Sequence, residues 1–222
     1  FGNWGKEEPM KATIDCLTQT EQKKEVIPSE VISGLSESAK WLTESIEYWI
    51  KMIDRWQEKP NEFFSYRELD KNQIDATPGG EPLICYWSVA DGEALIIRIY
   101  PPEANYWSVE FGSYWWETLD YRYRICSTNC EHAVLEDSGE LLIVVSHEDP
   151  RVPNWLDPSG HKEGYVTFRW IGSEIYPKPK VTLTEFSSLR KELSNGFKTI
   201  SRSDRDCQIK DRRKGILKRF RI

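Results

Sequence analysis

From residue 83 to residue 183 the chain is cut into short apolar runs by turn-forming residues, and this punctuation constrains the fold more than any other feature. Leu83–Val89 and Ala94–Tyr100 flank Asp91-Gly92, and Ala133–Glu136 and Glu140–Val145 flank Asp137-Ser138-Gly139. Each pair reads as a hairpin, because Gly accepts the positive φ that a tight reversal needs. Tyr106–Gly112 alternates, which places Trp107, Val109 and Phe111 on one face and Tyr106, Ser108 and Glu110 on the other. Tyr165–Ile171, and Val181–Leu183 behind Pro177 and Pro179, bring the total to about seven short strands. Strands this short and this regularly interrupted predict a mainly β chain, a jelly-roll-like antiparallel β-sandwich.

One long helix precedes the strands. Pro28-Ser29-Glu30 reads as its start, with Ser29 as the cap and Glu30 at the positive end. Leu35, Ala39, Leu42, Ile46, Trp49, Ile50, Ile53 and Trp56 follow in steps that share one helical face. Trp41, Tyr48 and Met52 add a second apolar side, so cover is expected on more than one flank. The helix should end by Lys59, ahead of Pro60. The resulting division is a strand and linker in residues 1–27, with the strand at Lys11–Leu17; a packing helix in 28–59; a β-sandwich in 60–185; and a basic, largely helical tail in 186–222. Residues 61–82, with Pro78-Gly79-Gly80, read as a long loop. Because the chain begins at Phe1, part of a longer protein is expected to precede it.

Charge is unevenly spread. Residues 201–222 carry nine Lys or Arg against three Asp, leaving that tail at +6; against a whole-chain charge of −6, the remainder stands at −12. Such a tail suits either an anionic partner or the acidic body of its own chain. The second reading is preferred, because no basic patch with interleaved aromatics occurs elsewhere, and no nucleic-acid partner is expected. No apolar run approaches the ~20 residues of a membrane span. The cysteines (Cys16, Cys85, Cys126, Cys130, Cys207) are odd in number and the Cys126–Cys130 spacing is not that of a zinc ribbon. With nothing that requires an oxidising compartment, a cytoplasmic location is expected.

The words Tyr106-Trp107-Ser108-Val109-Glu110-Phe111-Gly112-Ser113-Tyr114-Trp115-Trp116-Glu117-Thr118-Leu119-Asp120-Tyr121-Arg122, Asp149-Pro150, Asn154-Trp155-Leu156-Asp157, Gly160-His161, Gly164 and Phe168-Arg169-Trp170 resemble the family known as domain of unknown function 1214. The resemblance runs from about residue 80 to 185, weakly into both flanks, and includes the basic ending Arg219–Arg221. It implies a jelly-roll-like fold, a longer N-terminal part, and a setting in lipid, steroid or secondary metabolism; it implies no particular reaction. One word departs. Relatives read Ser-Leu-Asn-Gly-His-Gln-Ala where this chain reads Ser127-Thr128-Asn129-Cys130-Glu131-His132-Ala133. The imidazole is shifted by one position, which on a strand would reverse its face.

Site-capable side chains are densest between His147 and His161. His147, His161, Asp149 and Asp157 are the catalytic candidates. His147, His161 and Asp149 are also the best placed to hold a metal, although neither a metal nor a cofactor is expected. Asp149-Pro150 and Asp157-Pro158 are equally ordinary turn pairs. Asn154 and Trp155 suit a loop anchor, or the edge of a ligand pocket that Arg122, Tyr121, Trp115 and Tyr114 would complete. Arg122 beside Asp120 suits an ion pair or a carboxylate anchor. Elbow, zincin, P-loop and dinucleotide motifs are absent.

Three functions fit these residues. The preferred one is binding of an apolar or lipid-like small molecule in an aromatic-lined pocket near the 147–161 loop. The second is an enzyme of hydrolase or lyase type, metal-assisted or acid–base, using His147 and His161. The third is an interaction module for a preceding N-terminal domain or for a homodimer.

Overall fold

The computed structural model describes residues 3, 5–8, 10–15, 17, 26–65, 82–193 and 196–220. Cys16, the Pro78-Gly79-Gly80 loop and Arg221 lie outside them. Helix α1 spans Pro28–Gln57. The strands are β1 (Phe64–Ser65), β2 (Leu83–Ser88), β3 (Glu93–Ile99), β4 (Tyr106–Ser113), β5 (Ser127–Asn129), β6 (Leu141–Ser146), β7 (Trp155–Leu156), β8 (Glu163–Ile171) and β9 (Lys180–Glu185). A short helix α2 (Leu189–Glu192) and a long one, α3 (Arg202–Phe220), follow.

The strands form a jelly-roll-like sandwich of two sheets. One runs β1-β2-β8-β4-β5 and the other β7-β6-β3-β9, every pairing antiparallel except β6 with β7. Inward residues of both sheets meet in one core: Leu83, Cys85 and Trp87; Val109 and Phe111; Val166, Phe168 and Trp170; Leu95 and Ile97; Ile143 and Val145. Trp107, Val109 and Phe111 face this core as the alternation predicts.

The outer faces are also covered, which explains why β2 and β6 are almost continuously apolar rather than alternating. Met52, Ile53 and Trp56 of α1 cover Ile84, Tyr86 and Tyr165. Leu189, Leu193, Val152 and Trp155 cover Ala94, Ile96, Leu142 and Val144. Gly112 and Gly164 make the close contact between β4 and β8 that lets the Trp87 indole donate to the carbonyls of Gly112 (3.2 Å) and Tyr165 (3.0 Å).

Several expectations are corrected. The Asp91-Gly92 turn forms, with Gly92 at φ 82°, but it does not join a hairpin. β2 pairs with β8 while β3 pairs with β6 and β9, so the turn carries the chain from one sheet to the other. The Asp137-Ser138-Gly139 turn likewise forms (Gly139 N–H to Glu136 O, 2.9 Å), yet Ala133–Glu136 is not a strand. Residues 11–15 are not a strand either, and Ile14 stands 96% exposed. Ser29 does not cap α1. Ile27 occupies that position without a side-chain bond and Pro28 begins the helix, where its missing N–H costs nothing. Among the described residues, the buried side chains of α1 lie in its last third; Leu35, Leu42, Ile46 and Trp41 are exposed.

Candidate functional site

The 147–161 loop is built into the fold by most of its polar groups. Buried Asn154 donates to the carbonyls of Val134 (2.7 Å) and Leu142 (2.9 Å) and accepts from Val134 N–H (2.8 Å). The Trp155 indole donates to Ser146 O at 2.9 Å and lies 5.1 Å beneath the Arg205 guanidinium. Asp149 accepts two parallel bonds from Arg205, both at 3.2 Å. Asp157 accepts from Arg124 (2.8 Å) and from Ser159 N–H (2.8 Å). The His147 ring lies 3.2 Å from Val89 O and 3.9 Å from Asp91, while His161 is exposed. Asp149 is thus engaged by an arginine and His147 by a carbonyl. Among the described residues no three His, Cys, Asp or Glu side chains gather as a metal site would require.

The other candidates also separate. Tyr114 packs at the edge of the α1 cluster, and Trp115 and Arg122 are exposed. The ion pair at this corner is Arg124–Asp157 rather than Arg122–Asp120. Tyr114 and Trp115 lead into a turn, and Trp116 beyond them is held at φ 64°. Its ring stacks on Tyr165 at 3.9 Å and meets Trp49 and Trp56 of α1, so the second aromatic face meets the long helix.

Tyr121 is the exception. It lines a cavity of about 630 Å³ between α3 and the β4–β5 edge of the five-stranded sheet. That volume lies within the range of small-molecule sites. Tyr106, Tyr121, Ile125 and Phe220 supply apolar wall, and Tyr106, Ser108 and Glu110 line it from the side of β4 turned away from the core. No residue of the 147–161 loop is in its lining, although the Asp157 N–H bond to Ile125 O (2.7 Å) places that loop directly behind one wall.

Arg212 is the dominant polar group of the cavity. Its Nε donates to Tyr121 O (3.1 Å), one Nη to Ser127 O (3.2 Å) and the other to Ser127 Oγ (2.7 Å). All three acceptors are neutral, and burial weighs against its charge, holding its pKa below the ordinary value. Arg205, seven residues earlier on the same helical face, has instead a bidentate carboxylate. A guanidinium carries five N–H donors, so Arg212 keeps donors in hand.

His132 and Cys126 also line the cavity. Strand β5 ends at Asn129, so His132 lies past it in a turn held by Asn129, and the face-reversal argument does not apply. Desolvation first, then Arg212, lowers its pKa from 6.5, leaving the imidazole neutral at pH 7. Burial pushes the Cys126 thiol up to about 11 despite the nearby Arg212 charge, so the group is a thiol and not a thiolate. Cys126 and Cys130 are unlinked.

In the sequence Arg212 is one of many charges in a basic tail suited to the acidic body of its own chain, and nothing in composition singles it out. A signal was present: Arg205, Ile209, Arg212 and Ile216 recur in steps of four, three and four, which puts two arginines on the stripe that carries the isoleucines of α3.

No family model matches the chain, and no curated protein matches it. Among solved structures it is similar to an uncharacterised protein from Burkholderia cenocepacia, with 23% identity and a TM-score of 0.70 over 76% of this chain and 47% of that one. The chain therefore spans about half the length of that protein, and the likeness is one of fold. A protein of Vibrio parahaemolyticus matches over 54% of this chain and 34% of its own, at 18% identity and a TM-score of 0.38.

Proposed function

We propose that the protein binds a small amphipathic organic acid, with its apolar body in the cavity under α3 and its anionic head at Arg212. The observation that carries this reading is the contrast between two arginines on one helical face: buried Arg205 has a carboxylate, whereas half-buried Arg212 hydrogen-bonds only to neutral oxygens. Burying a guanidinium is costly unless an anion compensates it, and a ligand carboxylate fits the fork geometry. Tyr106, Tyr121, Ile125 and Phe220 offer the ligand aromatic and aliphatic surface. Ser108, Asn129 and neutral His132 offer it hydrogen bonds. Glu110 and Asp211 also line the cavity; both are exposed and neither hydrogen-bonds to Arg212, although the Glu110 charge partly offsets the cost of burying that arginine.

This reading keeps the expected class of ligand and moves the pocket from the 147–161 loop to the neighbouring α3 wall. It is consistent with membership of the domain-of-unknown-function-1214 family, which we infer from the Trp-rich words between residues 106 and 170. An enzyme based on His147 and His161 draws no comparable support, since His147 and Asp149 already have protein partners.

Calorimetric titration with octanoate and naphthalene-2-carboxylate, each beside its neutral amide, tests the proposal. The acids should bind at least about tenfold more tightly than the amides, a difference of ~1.4 kcal/mol. That preference should vanish in Arg212→Gln and persist in a His147→Ala, His161→Ala double variant. Equal affinity for acid and amide, or no binding of either, overturns it.

A further inference from the structure

Helix α1 is thirty residues long, and only its C-terminal third is packed on the sheet. There Trp49, Met52, Ile53 and Trp56 join the outer aromatic cluster. The same stripe continues toward the N-terminus with no described element packed on it: Ile32 and Leu35 are each 66% exposed, Leu42 55% and Ile46 48%. The stripe runs Ile32, Leu35, Ala39, Leu42, Ile46, Trp49, Ile53, Trp56, alternating steps of three and four. That is a 3.5-residue period, which follows a left-handed supercoil and suits a partner helix.

The flanks point to which helix. Ser36 and Thr43 border the stripe on one side, and Ser38 and Ser45 on the other. In helix pairs that select a different partner, these positions carry charges that set the choice. Here they are short and neutral, so an identical helix meets no like charge. The charged side chains Glu30, Glu37, Lys40, Glu44 and Glu47 lie on the opposite side, with Lys40 already 3.7 Å from Glu44. The uncovered part of the stripe also has the same order of residue types in both directions, Ile32, Leu35, Ala39, Leu42, Ile46, with the two Ile each seven residues from Ala39 and the two Leu four and three residues from it. A two-fold interface requires a patch that is complementary to itself. Ala39 at its centre, with Ser36 and Ser38 beside it, allows two helices to cross closely.

We propose that α1 pairs with α1 of a second copy of this chain, antiparallel across a two-fold axis at Ala39. The uncovered stretch from Ile32 to Ile46 is ~22 Å long, and exposed Trp41 and Tyr48 border it on the Ser38–Ser45 side. A seam of this size is small for an obligate dimer, so association in about the micromolar range is expected. The inference does not depend on the ligand reading.

Sedimentation equilibrium of the full chain over ~1–500 µM tests it in a range that brackets such an affinity. The mass should rise from 26.0 kDa toward twice that value. Ala39→Glu and Leu42→Glu should stay monomeric with an unchanged melting temperature, because both positions are exposed in the single chain. In a Cys207→Ser background, Ala39→Cys should form an intermolecular disulfide on mild oxidation, and Glu37→Cys, on the far side of the helix, should not. A chain that remains monomeric throughout, a dimer indifferent to Ala39→Glu, or equal cross-linking at both cysteines overturns the proposal.

Discussion

Arg205 grips Asp149 through two parallel hydrogen bonds of 3.2 Å, and this pair fastens α3 to the 147–161 loop. Arg205 is only 3% exposed and also donates to the carbonyls of Val152 and Pro153. Breaking a buried pair leaves one charge uncompensated. Asp149→Ala or Arg205→Ala is therefore expected to lower stability by about 3–5 kcal/mol. Arg212→Gln, which loses only neutral acceptors, should lower it by about 1–2 kcal/mol. Urea unfolding of the variants checks the ranking; equal losses at the two arginines would contradict the distinction drawn between them.

Gly164 tolerates no side chain. A Cβ there would stand 2.1 Å from the Gly112 carbonyl oxygen, a backbone atom of the neighbouring strand, and 3.0 Å from the Trp87 indole nitrogen. Relief requires parting β4 from β8 at the centre of the sheet. Gly164→Ala should cost at least about 3 kcal/mol, at or beyond the upper end of ordinary overpacking, and should raise the exposure of Trp87. Denaturation monitored by tryptophan emission reads both. A variant as stable as the parent would show that the two strands do not approach as described.

Trp116 joins α1 to the sandwich. It sits at φ 64°, a strained region for a bulky residue, and is kept there by its stack on Tyr165 and its contacts with Trp49 and Trp56. Trp116→Gly relieves the backbone but loses the ring, and the ring is worth more. A net loss of about 2–4 kcal/mol is expected, with faster amide exchange in Met52–Gln57 than in the parent. Exchange confined to residues outside α1 would run against this.

His132 makes stability pH-dependent in one direction. Its folded pKa is lowered from 6.5 by desolvation and by Arg212, with Lys6 acting the same way and Glu131 and Glu7 opposing. The unfolded chain then binds the proton more readily than the folded one. The contribution is full above the unfolded pKa and is lost as pH falls below it. Between about pH 7.5 and 5.5, His132→Gln should lose less stability than the parent. Parallel curves would mean that the imidazole senses neither the cavity wall nor Arg212.

Much of the sandwich was legible in the sequence because its strands are bounded by strong turns and its alternating strand, β4, faces water or the cavity on one side. Strand partners were not. Asp91-Gly92 announces a reversal, but nothing local says that β2 finds β8 some eighty residues later while β3 finds β6. The apolar stripe of α1 was legible too, yet periodicity is blind to how much of a stripe the body reaches. The site was the hardest part. His, Asp, Asn and Trp between residues 147 and 161 have the chemistry of a site and are largely occupied by loop closure. Arg212 belongs to a run of surface charge, and only its helical phase with Ile209 and Ile216 sets it apart from Arg213 and Lys214.

The most direct test of the ligand reading is a crystal structure of the protein soaked with naphthalene-2-carboxylate. The account predicts the carboxylate within hydrogen-bonding reach of the Arg212 guanidinium and the rings against Tyr106, Tyr121 or Phe220. Occupancy beside His147 and His161 with the α3 cavity filled only by water, or a carboxylate turned away from Arg212, would contradict it.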